Sequence, residues 1–455
     1  MKENTQTNIA AENEKLPWWF APAWSTRAVA IAFNFILLGY LTFYCTDMLG
    51  MSAGLVGTLL LVSKLFDGVT DLVVGFIIDK TNTRFGKARP YEISIVFAWI
   101  FTVLIFSIPD MAQNSQAVMV FILYTLINSI CATFLNGSDA VYLARSVRSP
   151  QNRVKVMSVN GVILMLASSI IAILLPQVIA TTGAAKAGWT TIALTFAVPL
   201  SLIGMLRFVF VKEIDTNKDE AAAKESLGFK EGIKALAKNK YIFMLAAMIF
   251  IVNIFNGIGT AVGTYYFKYI VGDIGLMSLV SMTSLATPLL LLFFPKLSQK
   301  LGTTGILRWG TLISVVGMLI RTIGGTNIIT LMIGSLSATL GIVPISAMIN
   351  IYLIECMDFG EWKTHVRVEG MMSSVTSFMS KLGSGLASAM VGLIMGIAGY
   401  NGLIQTQSST TNMSIIALYN IIPLVLFVLM FLLTLAYNID KVMPQVKEEL
   451  GKRRS

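Results

Sequence analysis

Lys64-Leu65-Phe66-Asp67-Gly68-Val69-Thr70-Asp71 lies inside an apolar run from about Ala53 to Ile78. A run of that length crosses a bilayer as a helix, which puts two carboxylates and an ammonium near the middle of a hydrocarbon slab. An ionisable group at that depth costs about 3 kcal/mol or more and persists only when it faces the protein interior with partners. The spacing i, i+3, i+7 sets Lys64, Asp67 and Asp71 on one helical face, and Gly68 leaves the backbone open to close approach. We read this face as a cation site. The plainer alternative is an ion-pair network that only holds helices together, but buried pairs stabilise poorly compared with apolar packing.

The rest of the chain is consistent with a membrane setting. Of 455 residues, 55% are hydrophobic and only 13% charged, about half the charge of an average soluble domain. The fold class expected is an all-α polytopic membrane protein. The net charge of +10 is spread over short loops, where it acts as a topology signal, and no nucleic-acid partner is expected. Cys45, Cys131 and Cys356 are far apart and in or beside apolar spans, which gives neither a disulfide framework nor a metal spacing. Residues 1–16 are polar and no cleavable signal peptide is expected. Trp18, Trp19, Phe20 and Trp24 precede the first span, as aromatics do at a headgroup layer.

Twelve spans are expected, at about 26–46, 53–78, 91–109, 117–144, 156–181, 189–211, 241–268, 275–295, 305–323, 328–356, 368–398 and 414–437. With the N-terminus inside, basic residues favour the cytoplasmic links by about eight to one, and only Lys186, Lys268 and Arg321 fall outside. Both termini are therefore expected in the cytoplasm. The longest charged link, 212–240, divides the spans six and six, the plan of two parallel halves. The expected organisation is a cytoplasmic N-terminus with an aromatic interfacial segment (1–25), a six-helix half (26–211), a cytoplasmic linker (212–240), a second six-helix half (241–438) and a cytoplasmic tail (439–455). Similarity between the halves is weak: DKTNTRFGKARP after the second span has only a faint counterpart, KLSQKLGTTG, after the eighth. The small-residue tract Gly383–Ala389 allows tight helix contact.

Depth links several spans. Asp67 and Asp71 lie roughly 21 and 27 Å along the second span, and Thr133 roughly 24 Å along the fourth. Thr133 is thus level with the carboxylates, and Thr70 adds an oxygen beside Asp71. Two carboxylates and two hydroxyls make a hard-oxygen set suited to Na⁺, for which H⁺ can compete, since two nearby carboxylates hold a proton when no ion separates them. Either threonine can instead bond its own helix. Lys381 sits near mid-depth in the eleventh span, where snorkelling is difficult. It is expected to face the interior as counter-ion or substrate ligand, or simply to line a cavity. Lys64, Asn34 and Asn136 are further substrate-ligand candidates, although membrane amides also serve to join helices. Asp139, above Tyr142 and Arg145, reads as a cytoplasmic gate carboxylate paired with Arg145, or as an ordinary helix-end acid. His365 is the single histidine, and no Ser-His-Asp set, HExxH, P-loop or CxxC occurs. An enzyme is not expected, nor a cofactor beyond a coupling cation, Na⁺ or H⁺, held by Asp67 and Asp71.

Three stretches carry a family resemblance: TDMLGMSAGLVGTLLLVSKLFDGVTDLVVGFIIDKTNTRFGKARPY (46–91), CMDFGEWKTHVRVEG (356–370) and SFMSKLGSGLASAMVGLIMGIAGY (377–400). The chain resembles the glycoside–pentoside–hexuronide:cation symporters, the melibiose-permease-like branch of the major facilitator superfamily. The resemblance implies twelve transmembrane helices in the major facilitator fold and sugar uptake coupled to a cation gradient. It implies the cation at Asp67 and Asp71 with help from Thr133, and a part for Lys381 in linking cation and sugar. Melibiose permeases have asparagine at Thr70. Their two sugar-binding carboxylates fall at Ile31 and Asn136, an arginine at Gly161 and a stacking tryptophan at Ala140. Loss of two acids with Lys64 and Lys381 retained suggests an anionic glycoside, such as a hexuronide. The partners expected are a sugar or glycoside, the cation and the bilayer of the cell membrane, around a monomer. Two rivals keep the fold: a carrier of a lipid-like solute, and a transport-inactive sensor.

Overall fold

The computed structural model describes residues 16–147, 149–213, 234, 236–366 and 369–454. Residues 1–15 and 214–233 lie outside this set, and with them most of the expected N-terminal segment and linker. The described residues are helical almost throughout, and their β structure is limited to one isolated bridge, Thr83 to Gly86. Nine of the described helices are both long and apolar enough to cross a membrane. Ala53–Lys80 has the length as well, 28 residues, but carries Lys64, Asp67 and Asp71. The chain divides into two compact units, residues 1–220 with 401–405 and residues 221–400 with 406–455.

The first unit contains α1 (Phe20–Met48), α2 (Ala53–Lys80), α3 (Ser94–Ile105), α4 (Gln113–Ser146), α5 (Pro150–Thr182) and α6 (Lys186–Phe210). Their starts follow local capping chemistry. The Ser52 side chain accepts from Leu55 N at 3.4 Å at the head of α2, and Ser149 does the same for Asn152 N at α5, with Pro150 in the first turn. Apolar side chains such as Val198, Leu202 and Phe210 on α6 remain exposed, as lipid-facing positions should. Trp18 is exposed, as expected of a headgroup-layer aromatic. Trp24 is not: it turns inward with Phe20 to pack with Ala88, Tyr142, Val147, Val156 and Val211.

One end of this unit is tied together by a carboxylate. Glu213, just past α6, accepts from the backbone N–H groups of Lys87, Ala88 and Arg89 at 2.9, 2.7 and 2.7 Å. Arg89 in turn caps the end of α6 by donating to the Phe208 carbonyl at 2.8 and 2.6 Å. The loop reaches Glu213 through Gly86, at φ +116°, where a Cβ would come within 2.4 Å of the Glu213 carboxyl carbon.

The second unit contains α7 (Lys240–Val271), α8 (Ala286–Gly324), α9 (Ile328–Thr364), α10 (Glu369–Ile397), α11, built from Ser409–Ile416, Ala417–Ile421 and Ile422–Ala436, and α12 (Ile439–Arg454). Two expected links are mostly helical. The 296–304 link reduces to a break at Gly302, φ +71°, inside α8, and α9 runs on through most of 357–367 before His365 ends it at φ 60°. Both have a partner that explains the extra order. Asp440 accepts from Thr304 N at 2.7 Å and from the Thr303 hydroxyl. Trp362 donates to Glu449 of α12 at 2.6 Å, while Met443, Val446 and Leu450 bury the apolar face of that helix. The 439–455 tail is therefore a packed helix over its described length. Arg308 donates to the Thr434 carbonyl at 3.3 Å near the end of α11. Each unit thus uses a positive-φ glycine, a carboxylate just past its last long helix and an arginine capping that helix. Arg321, expected outside, is buried over the Tyr419 ring at 3.8 Å and bonded to Asn420 at 3.0 Å, so it carries no loop charge. Gly383 lets α10 approach α7 closely, since a Cβ there would lie 2.7 Å from the Phe250 carbonyl.

Candidate functional site

The Lys64–Asp71 face of α2 meets α4 where α4 departs from α geometry. Leu126–Ala132 forms a π turn, a feature common at functional positions, and it aims Asn128 and Ser129 at α2. The Ser129 hydroxyl donates to Asp67 Oδ1. Lys64 Nζ lies 3.3 Å from Asp67 Oδ2 and 3.0 Å from Asn128 Oδ1, with the Tyr124 ring 5.7 Å away. Asn128 donates its amide to the Tyr124 carbonyl at 3.0 Å, which fixes its oxygen toward Lys64. Thr125 and Ser63 close the contact through their hydroxyls at 3.0 Å. Asp67 is only 5% exposed, so both of its oxygens meet donors inside the unit. Asp71, one turn further along α2, is exposed. Thr70 donates to the Phe66 and Asp67 carbonyls, each at 3.2 Å, and Thr133 to the Asn128 carbonyl at 3.2 Å. Both threonine protons are thus used on their own helices, but each oxygen keeps lone pairs that a cation can use.

A second charged group lies toward the Glu213 end of the unit, and its pairing corrects the expected gate. Asp139 binds Arg27 and Arg207, both at 2.6 Å, and not Arg145. Arg145 is held instead by Glu213 at 2.9 Å. The reason is depth: Arg27 on α1 and Arg207 on α6 are level with Asp139, whereas Arg145 lies at the end of α4 beside the Glu213 loop. Arg207 is wholly buried, packs over the Trp24 ring at 3.5 Å and faces Glu92 at 3.6 Å. Arg27 also donates to Asn136 at 3.4 Å, and Asn136 is exposed. Asn34 is fully buried and donates to Thr102 at 2.7 Å, joining α1 to α3. In this structure Asn34 is thus in the helix-joining arrangement that membrane amides also adopt.

In the second unit, Lys381 lines a cavity of about 470 Å³ together with Asn253, Ser346, Thr376, Ser377 and Ser380, against an apolar wall that includes Ile249 and Val252. A few polar groups converging over an apolar wall, in a volume of this size, is the usual make-up of a small-molecule site.

The model for the family described as MFS/sugar transport protein matches residues 25–441. The chain belongs to this sugar-transport family. An isoprimeverose transporter of Lactiplantibacillus pentosus is 30% identical over 99% of this chain and 95% of its own length. The glucuronide carrier protein homolog of Escherichia coli K12 is 25% identical over 97% of each chain. A putative glycoside/cation symporter of the same bacterium, YagG, is 24% identical over 91% of this chain and 90% of its own. Among solved structures, a bacterial homolog of the human lysosomal transporter Spinster superposes with a TM-score of 0.65 at 11% identity, over 93% of this chain and 98% of that one. The fold is that of the major facilitator transporters, and this family member is a multi-pass membrane transporter and not an enzyme.

Some residues of this transporter's charged groups were not singled out from the sequence. Arg27, Glu92 and Arg207 each interrupt or border an apolar stretch, the same signal that marks Asp67. Asn128 and Ser129 carry no such mark, because it is the π turn that aims them at Lys64 and Asp67.

Proposed function

We propose that this transporter carries a sugar or glycoside together with a coupling cation, Na⁺ or H⁺, by alternating access, as a monomer in the cell membrane with both termini in the cytoplasm. The observation that carries the proposal is Asp67, a carboxylate buried on a membrane-length helix and met by an ammonium, a hydroxyl and an amide-bearing π turn. Such an arrangement is costly as mere structure and suited to exchanging one cation for another. The cation binds at Asp67 with Asp71, and the oxygens of Thr70 and Thr133 complete its shell. The relatives named for isoprimeverose, glucuronide and glycoside/cation symport support a sugar as cargo, and the polar lining around Lys381 favours it over a lipid-like solute. The substrate-contacting residues we assign are Asn136 and Lys64 in the first unit and Lys381 in the second, each taken by itself. Guanidinium at Asn136 and ammonium at Lys381 favour an anionic glycoside. Asp139 with Arg27 and Arg207 acts as the gate cluster.

The test is uptake into proteoliposomes of a panel containing a glucuronide and a neutral xylosyl-glucose, under imposed Na⁺ or H⁺ gradients. Asp67→Asn is expected to abolish gradient-driven accumulation while the protein still inserts in the membrane. Full active uptake by this variant overturns cation coupling at Asp67. Uptake of the neutral sugar without competition from glucuronide overturns the anionic cargo.

A further inference from the structure

We propose that the Lys64 ammonium is a resident cation for Asp67, and that Asn128 is the second seat to which Lys64 withdraws when the transported cation arrives. The proposal rests on cation binding at Asp67 and deepens it, by naming the residue that sets how tightly an alkali cation is held. A carboxylate in an apolar unit needs a positive partner at all times. With the transported cation bound, Asp67 has one, and the nearby ammonium becomes a repelled like charge that needs an acceptor of its own.

The geometry supplies that acceptor in advance. Lys64 Nζ is closer to the neutral Asn128 oxygen, at 3.0 Å, than to the Asp67 carboxylate, at 3.3 Å. The Asn128 side chain cannot turn away freely, because its amide is spent on the Tyr124 carbonyl. The Tyr124 ring stands 5.7 Å from the ammonium on the same side, within the range of cation–π attraction. Lys64 therefore shifts rather than leaves: its bond to Asp67 breaks, its bond to Asn128 remains. The Ser129 hydroxyl stays on the other carboxylate oxygen and holds Asp67 in place through the exchange. The π turn is what allows consecutive residues of α4 to serve the two partners.

The sign of the mutational effect follows. Removing the Asn128 oxygen hurts the cation-bound state most, because there it is, beside Tyr124, an acceptor left to Lys64 once Asp67 is taken; Na⁺ binding weakens. Replacing the amide by a carboxylate gives the displaced ammonium a charged partner, and Na⁺ binding tightens. One hydrogen bond to a charged group corresponds to roughly a 10-fold change in affinity or more, and the Tyr124 side chain beside Lys64 offsets part of it.

The experiment uses the full chain purified in detergent, with thermal unfolding followed against NaCl and, separately, LiCl, and choline chloride holding the ionic strength. The expected result is a half-saturating Na⁺ concentration raised roughly 3- to 10-fold in Asn128→Ala and lowered by a similar factor in Asn128→Asp, relative to wild type. Lys64→Gln, which removes the resident cation, is expected to lower it too. A purely structural role for Asn128 would lower the unfolding temperature without salt in both variants and leave the half-saturating concentration where it was. That outcome, or shifts of one sign in both variants, overturns the second seat while leaving cation binding intact. A wild-type protein that responds to neither Na⁺ nor Li⁺ overturns alkali-cation binding at Asp67 and the inference with it.

Discussion

Replacing Glu213 by alanine removes a side chain that is 3% exposed and accepts from three backbone N–H groups at 2.7–2.9 Å and from Arg145 Nε at 2.9 Å. A hydrogen bond to a charged group contributes about 1.5–3 kcal/mol, but four bonds to one carboxylate share its charge and do not add. Removing one partner of a buried charge pair costs about 3–5 kcal/mol, mainly because the other partner is left unpaired. That range applies here, since the three amides of Lys87, Ala88 and Arg89 and the Arg145 guanidinium all lose their acceptor. A unit of this size shifts its midpoint by about 2–4 °C per kcal/mol, so Glu213→Ala should unfold at least about 6 °C below wild type. The assay is provided by the protein itself. Cys45, Cys131 and Cys356 are free and buried, so a thiol-reactive dye reports unfolding as they become accessible. Glu213→Gln keeps one acceptor oxygen for the amides and should fall between. The control is Glu448→Ala, whose partner Lys452 is an exposed neighbour at 2.6 Å; such pairs contribute less than about 1 kcal/mol. A Glu213→Ala protein within a degree of wild type, or no better behaved as Gln than as Ala, would show that the loop is not held by this carboxylate.

Asp139→Asn leaves two buried guanidiniums, Arg27 and Arg207, with Glu92 as the nearby acid that faces Arg207. The expected cost is again about 3–5 kcal/mol, read as lower yield and earlier thiol exposure, and partly recovered in Asp139→Asn combined with Arg27→Gln. Gly302→Ala forces a side chain into φ +71° and brings its Cβ within 2.7 Å of an Asp440 oxygen; strain of about 1–2 kcal/mol from the backbone alone should lower the unfolding midpoint by a few degrees, whereas Gly259→Ala, where a Cβ meets nothing within 4 Å, should not.

The all-helical class and the membrane setting were legible because both depend on hydropathy summed over twenty residues, a signal that single exceptions do not disturb; the expected count of twelve is not matched by the nine described helices that are long and apolar enough to span. The same sum hides what interrupts it. Asp67 stands out because Lys64 and Asp71 reinforce it on one face; Arg207, alone in SLIGMLRFVFVK, has no such reinforcement, although its carboxylate partners, Glu92 in the turn before α3 and Asp139 on α4, make it as costly and as constrained. The gate pairing failed for a related reason. Sequence places Arg145 six residues from Asp139, but the partners that reach the carboxylate come from α1 and α6, more than sixty residues away in the chain. Helix ends were least legible. Nothing local in DFGEWKT stops or continues a helix decisively; what extends α9 to Thr364 is α12, which supplies Glu449 for the Trp362 indole.

The weak likeness between the halves has a physical explanation in the same terms. In the first unit Glu213 binds loop amides, Arg89 caps α6 at Phe208 and Gly86 makes the turn; in the second Asp440, Arg308, Thr434 and Gly302 stand in those places. Backbone amides and carbonyls do much of the bonding, and any residue can supply them. Only the acid, the arginine and the glycine need particular side chains, and Asp can replace Glu if the chain advances by a residue. A few constrained positions in some two hundred leave an alignment almost nothing to detect, so DKTNTRFGKARP and KLSQKLGTTG look only faintly related. The device is retained in each half because a helix end near the membrane surface has carbonyls that must be satisfied, and a short loop from the neighbouring helix pair is the nearest source of donors. What repeats between the units is therefore the bonding requirement, and the residues that meet it are free to differ.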